Sequence, residues 1–143
     1  MKTHVDAPLH VRGESEFVDD VVPPLGMLHA AVFGSPVAHG AVNALETTRA
    51  ADTAGVAGVF TAQDIPGHNI IGPIIQDEQL LAESVVEYVG QPLAIVVADT
   101  PEAARRAAAR VAVDVDERPV IVDPREAFAQ GQVIDRGRTF QIG

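Results

Sequence analysis

VEYVGQPLAIVVAD, Val86 to Asp99, holds the longest strongly apolar run of the chain, and Gly90-Gln91-Pro92 comes directly before that run. Val, Ile and Tyr on either side of the tripeptide favour extended backbone. Gly90 supplies φ freedom, and Pro92 can begin a strand where no ladder N–H is needed. The stretch therefore predicts a turn between two strands, SVVEYVG and PLAIVVAD.

Downstream, TPEAARRAAARVA carries its own helix signals. Asp99 or Thr100 can cap, Pro101 stands at the first helical position, and Glu102 suits the positive end of the helix dipole. Ala103, Ala104, Ala107, Ala108 and Val111 form one face of small residues, able to lie close against a sheet. Arg105, Arg106 and Arg110 fall outside it, and Glu102 can pair with Arg105 or Arg106. Val111, Val113 and Val115 then alternate with acids at Asp114 and Asp116, which predicts a half-exposed strand ending at Arg118-Pro119. DPREAFAQG, Asp123 to Gly131, predicts a short capped helix.

Upstream, HVRGESEFVDDVVPPLG is polar and turn-rich and predicts an extended arm or edge strand. GMLHAAVFGS and GAVNALETT are expected strands. TTRAADTAG is an expected short helix, with Thr47 or Thr48 as cap and Gly55 as stop. GVAGVFTAQDI is an expected strand running into a loop, PGHNIIGP. Extended tails are expected over 1–9 and 132–143. The fold class is α+β, with a mixed β-sheet and about two main helices in a single domain over 1–143.

Composition excludes several function classes. The 143 residues are 47% hydrophobic, enough for one domain with a real core. No cysteine is present, which removes disulfides, iron–sulfur ligands, thiolate zinc sites and cysteine nucleophiles. A reducing, cytoplasmic setting is the expected one. A net charge of −10 opposes nucleic acid and anionic membrane surfaces, and no apolar run approaches a membrane span. The single lysine, Lys2, stands against nine arginines and sits at a terminus, a poor place for Schiff-base chemistry.

Motifs for chemistry are equally sparse. Neither a dinucleotide nor a P-loop glycine pattern occurs, and the glycines of GVAGVF read as turn residues. The nearest approaches to a serine-hydrolase elbow, Gly13 to Ser15 and Gly34 to Gly40, both lack its spacing. His4, His10, His29, His39 and His68 include no pair at metal-ligand spacing, and His29 falls inside an apolar strand. The doublets Asp19-Asp20, Asp77-Glu78 and Asp116-Glu117 are poor acid/base pairs, because neighbours on a strand face opposite ways. No catalytic, cofactor-binding or metal-binding residue is assigned.

Four blocks in order resemble one family: HVRGESEFVDD, LHAAVFGSPVAHG, GVAGVFTAQDIPGHNIIGPIIQDEQLLA and VEYVGQPLAIVVADTPEAARRAA. Together they cover most of the chain from His10 to about Pro124. They resemble the α/β-hammerhead domain that opens the molybdenum-binding large subunit in the xanthine dehydrogenase and aldehyde oxidase family, nearest its bacterial xanthine dehydrogenases. Phe17 stands where the family commonly has Tyr, and DVDERPV where it has a Tyr-Glu-Glu-Leu-Pro-like ending. The resemblance implies a β-hammerhead fold and a parent enzyme that hydroxylates xanthine or hypoxanthine at a molybdopterin centre. Electrons would pass through 2Fe-2S clusters and FAD to NAD.

The family's molybdopterin contacts, metal-side glutamine and catalytic glutamate lie in later regions, so this chain is expected to be a non-catalytic piece of a larger subunit. Gln91 is then at most an interdomain contact. The implied partners are the downstream molybdenum-binding domains and an iron–sulfur/FAD subunit. Alternatives are an aldehyde oxidase or carbon monoxide dehydrogenase parent, a free-standing interaction module, and a small metal-free hydrolase or isomerase with an acidic cleft near Asp77 and Glu78.

Overall fold

The computed structural model describes residues 5–72, 74 and 76–132. Its elements run α1 (Ala7–Arg12), β1 (His29–Gly34), β2 (Gly40–Glu46), α2 (Thr48–Ala51), β3 (Val56–Thr61), β4 (Ile70–Ile71), β5 (Glu78–Gln79), β6 (Val85–Val86), β7 (Pro92–Ala98), α3 (Pro101–Ala108), β8 (Ala112–Glu117) and α4 (Pro124–Ala129). Two 3-10 turns, Val18–Asp20 and Ala62–Asp64, follow α1 and β3.

The α+β class holds, but one mixed sheet does not. The strands form two three-stranded sheets, ordered β1-β7-β3 and β6-β2-β8, and a small β4-β5 pair. Every pairing among the described residues is antiparallel. β1 and β3 do run in the same direction, but β7 lies between them and pairs with both, so no parallel ladder arises.

β7 is the apolar run of the opening stretch, and its central place explains its composition. Leu93, Ala94, Val96 and Ala98 are buried. α3 covers one face of its sheet with Ala103, Ala104, Ala107 and Ala108, all buried as the small-residue face requires. Thr100 caps that helix, its hydroxyl oxygen accepting the Ala103 N–H at 3.1 Å. Glu102 pairs with Arg105 at 2.9 Å on the exposed side.

Phe33 and Leu45 pack into both main apolar clusters, one around Val96, Ala107 and Val111, the other around Val86 and Leu93, and so join the two sheets. Each large side chain fully buried there contributes about 1.5–3 kcal/mol. β8 alternates as expected, with Val113 and Val115 partly buried and Asp114 and Asp116 exposed.

Gly90-Gln91-Pro92 is not the turn of a two-stranded hairpin. SVVEYVG contributes only Val85–Val86, which pair with β2, whereas β7 belongs to the other sheet. The chain leaves one sheet at Val86 and enters the other at Pro92. The Gln91 N–H donates to the Tyr88 carbonyl at 3.2 Å, and Gly90 takes φ +87° to close the corner.

Three other expectations are corrected. Ala7–Arg12, expected as part of an extended arm and tail, is a short helix, with Pro8 in its first turn and Gly13 at φ 71° ending it. The loop PGHNIIGP contains β4, because Ile70 and Ile71 pair with Gln79 and Glu78. The helix of TTRAADTAG is confined to Thr48–Ala51, and Thr47 makes no side-chain cap bond. Of the expected C-terminal tail, residues 133–143 lie outside the described residues.

Candidate functional site

Asp77 and Glu78, the acids of the alternative hydrolase or isomerase reading, and Gln91, the expected interdomain contact, come together in the structure. They line a groove of about 440 Å³ with Gln79, Ser84, Val85, Glu87 and Tyr88. β5 supplies Glu78 and Gln79, and the corner between β6 and β7 supplies Glu87, Tyr88 and Gln91. An adjoining groove of about 720 Å³ shares Asp77, Glu87 and Tyr88 and adds His39, Val120 and Ile121.

The three carboxylates of this groove, Asp77, Glu78 and Glu87, are all exposed. The lining of the first groove contains no cationic side chain to hold an anionic group. The hydrolase or isomerase alternative therefore gains a groove but no mechanism.

Gln91 is committed to the fold. It is buried, its side-chain oxygen accepts the Glu87 N–H at 2.7 Å, and its carbonyl accepts the Ser35 N–H at 2.9 Å. Ser35, from the elbow-like GSPVAHG, is buried and used in the same corner. Its hydroxyl donates to the Val37 carbonyl at 2.7 Å and accepts the Val37 N–H at 3.1 Å, which occupies it as a turn residue.

The other near-miss serine, Ser15, lies 2.7 Å from His10 Nδ1, with Phe17 stacked on the imidazole at a ring distance of 6.0 Å. A Ser–His contact is a nucleophile's first requirement, but this one sits on an exposed arm and neither residue lines the grooves described here.

The acidic doublets resolve into local roles. Asp20 caps the 3-10 turn after α1 by accepting the Phe17 N–H at 2.9 Å. Asp116 and Glu117 are exposed on β8. Asp64, which belongs to no doublet, accepts the Thr61 N–H at 2.7 Å and the Thr61 hydroxyl at 3.0 Å. Those two bonds, the backbone one first, hold its carboxyl below the ordinary 3.8 against the opposing effect of burial.

His39 Nδ1 is 3.1 Å from the Pro119 carbonyl, His29 is partly buried in β1, and His68 is exposed. His4 lies outside the described residues. Among the described residues, no three His, Asp or Glu side chains are placed to hold a metal ion. With no cysteine in the sequence, the chain offers no thiolate for an iron–sulfur cluster.

Sequence reasoning missed the exposed apolar surface. Val5, Val11, Phe17, Val18, Val21, Val22, Leu25 and Leu28 are exposed along the N-terminal arm. Val32 and Phe60 are 56% and 47% exposed on the β1-β7-β3 sheet. The accessible surface is 11380 Å² for 15.0 kDa, where a compact monomer of that mass exposes about 7,000 Å². Granting every undescribed residue the full area of an unfolded chain, about 2,700 Å², still leaves about 1,700 Å² beyond the compact expectation. The arm reads as polar and turn-rich in sequence, yet its valines, Phe17 and Leu25 stand exposed in the structure.

Residues 12–119 match the family described as "Aldehyde oxidase and xanthine dehydrogenase, a/b hammerhead domain". The chain is 44% identical over 127 residues to xanthine dehydrogenase 1 of Arabidopsis thaliana, an alignment covering 89% of this chain and 9% of that protein. Among solved structures it is similar to the aldehyde oxidoreductase of Desulfovibrio desulfuricans, with a TM-score of 0.81 and 31% identity over 87% of this chain and 15% of that one. It is also similar to a Cu,Mo-CO dehydrogenase, with a TM-score of 0.78 and 32% identity over 88% of this chain and 16% of that one. The chain thus spans about a tenth of the curated relative and about a sixth of the solved chains.

Proposed function

This chain belongs to the aldehyde oxidase and xanthine dehydrogenase family through its a/b hammerhead domain, and from that premise we propose that it is a non-catalytic scaffold domain of a molybdenum hydroxylase large subunit. The observation that carries this reading is the surface. About 1,700 Å² beyond the compact expectation, with apolar side chains on the arm and on a sheet face, suits a domain that is covered by neighbouring polypeptide. In the groove that brings Asp77, Glu78 and Gln91 together, the carboxylates are exposed and Gln91 is bonded within its own corner, which supports the same reading.

The parent activity we favour is oxidative hydroxylation of xanthine or hypoxanthine, because identity is higher to the plant xanthine dehydrogenase, 44%, than to the aldehyde and carbon monoxide enzymes, 31% and 32%. Molybdopterin would be held by other domains of the subunit. The 2Fe-2S clusters and FAD would sit in further domains or subunits, in keeping with a chain that has no cysteine. The cytoplasm remains the proposed compartment. No helix among the described residues is long and apolar enough to cross a membrane.

Elemental analysis tests this directly. The purified 143-residue chain should contain no stoichiometric molybdenum, and the complete polypeptide that carries this sequence should contain it and oxidise xanthine. Molybdenum bound at one equivalent by the chain alone would overturn the scaffold assignment. A complete polypeptide that ends soon after Gly143 would favour the free-standing interaction module.

A further inference from the structure

The β1-β7-β3 sheet has two faces, and α3 covers one of them; on the other, Leu93 is buried against Ala82 and Val86 at one end. Ala31, Phe33, Val56, Val59, Val96 and Ala98 pack in the clusters that α3 completes. The pairing register puts the opposite parity into two cross-strand rows, Ala30–Val97–Gly58 and Val32–Ile95–Phe60. No member of either row is charged or polar. Val32 and Phe60 are half exposed, Ala30 is exposed, and Ile95 and Val97 are partly buried.

The surface is also low. A Cβ added at Gly58 would stand 3.0 Å from Phe60 Cζ, so the Phe60 ring leans back along its own strand over Gly58 rather than outward. Ala30 and Gly58 leave the other row shallow. An apolar layer of helix or sheet, which packs about 10 Å from a sheet, could lie flat on it.

We propose that this face seats the hammerhead domain against the remainder of the large subunit, receiving an uncharged apolar helix or strand layer. The proposal rests on the scaffold assignment above. Three observations favour that occupant over a second copy of this chain. Five side chains and a glycine in two rows cover far less than the roughly 800 Å² per partner of a standard stable interface, so a dimer through this face alone would be weak. Two chains of charge −10 repel one another. The apolar surface is spread over the arm as well as this face, and a closed two-fold contact covers one patch, whereas the curated relative has about ten times this length available to cover several.

Because the chain has no cysteine, Val32→Cys and Phe60→Cys each place a single new thiol on the face. Maleimide labelling, followed peptide by peptide in a mass spectrometer, would compare the 143-residue chain with the complete polypeptide carrying it. Both thiols should react at least tenfold more slowly in the complete, molybdenum-containing polypeptide, with equal labelling after denaturation. Equal native rates in a molybdenum-containing polypeptide would overturn the seating surface and leave the scaffold assignment standing. Protection that instead appears in the isolated chain, rising with its concentration as a dimer forms, would overturn it in favour of a second copy. A complete polypeptide without molybdenum would overturn the scaffold assignment, and the proposed occupant with it, whatever the labelling shows.

Discussion

Gly34→Ala should be the most damaging single-methyl change at the corner where the two sheets meet. A Cβ at Gly34 would stand 2.7 Å from the Gly90 carbonyl oxygen and 2.9 Å from both Gly90 C and Gly90 Cα. These are backbone atoms, so no rotamer change relieves the contact, and β1 must move off the corner. Two hydrogen bonds hold it there: Gly90 N–H to the Ser35 carbonyl at 2.7 Å, and Ser35 N–H to the Gln91 carbonyl at 2.9 Å. Overpacking costs about 1–3 kcal/mol, and each weakened bond costs about 1 kcal/mol more. Since the shift relieves part of the clash, a net loss of about 2–4 kcal/mol is expected, worth roughly 6–12 °C in Tm for a chain of this size.

Two controls separate packing from backbone conformation. Gly90→Ala meets no atom within 4 Å, but φ is +87°, so it should lose about 1–2 kcal/mol through strain alone. Gly67→Ala meets no atom and has no such φ, so it should stay within about 0.5 kcal/mol of wild type. Urea unfolding followed by circular dichroism, with thermal melts alongside, measures all three. If Gly34→Ala unfolds within about 0.5 kcal/mol of wild type, the close corner described here is wrong.

Gln91→Leu should cost about 1–3 kcal/mol in urea unfolding by removing the acceptor of the Glu87 N–H; a loss under about 0.5 kcal/mol would remove that bond from the account. Asp64 has a folded-state pKa below its unfolded one, so its contribution is fully present above the ordinary 3.8 and disappears as pH falls through the depressed value. Wild type should therefore lose stability more steeply than Asp64→Asn below about pH 4, with parallel curves above about pH 5. Identical slopes on the acid side would refute the Thr61–Asp64 contact.

The elements most legible in the sequence are those whose signals are local. α3 is specified by Thr100, Pro101 and an alanine face, and each does in the structure what its type predicts. α4 likewise follows Asp123, whose side chain accepts the Arg125 and Glu126 N–H groups. Non-local pairing is less legible. Val85 and Val86 look like the first half of a hairpin with β7, but strand-like composition does not say which sheet a strand joins. β1 shows the same limit within six residues: Ala31 and Phe33 pack toward α3 while Ala30 and Val32 face outward, and the four do not differ in kind.

This asymmetry bears on how function is sought in such a chain. Hydroxyl, amide and carboxylate groups draw attention because reactions use them, yet Ser35, Gln91, Asp20, Asp64, Thr100 and Asp123 all bond backbone N–H groups near their own positions. A side chain held that way rigidifies a turn or a helix start, which is what a scaffold needs and a reacting group cannot spare. The residues left without a partner of their own kind are apolar and outward, Val32 and Phe60 among them. Under the scaffold reading proposed above, function passes to that apolar surface, and what it does is decided by what covers it.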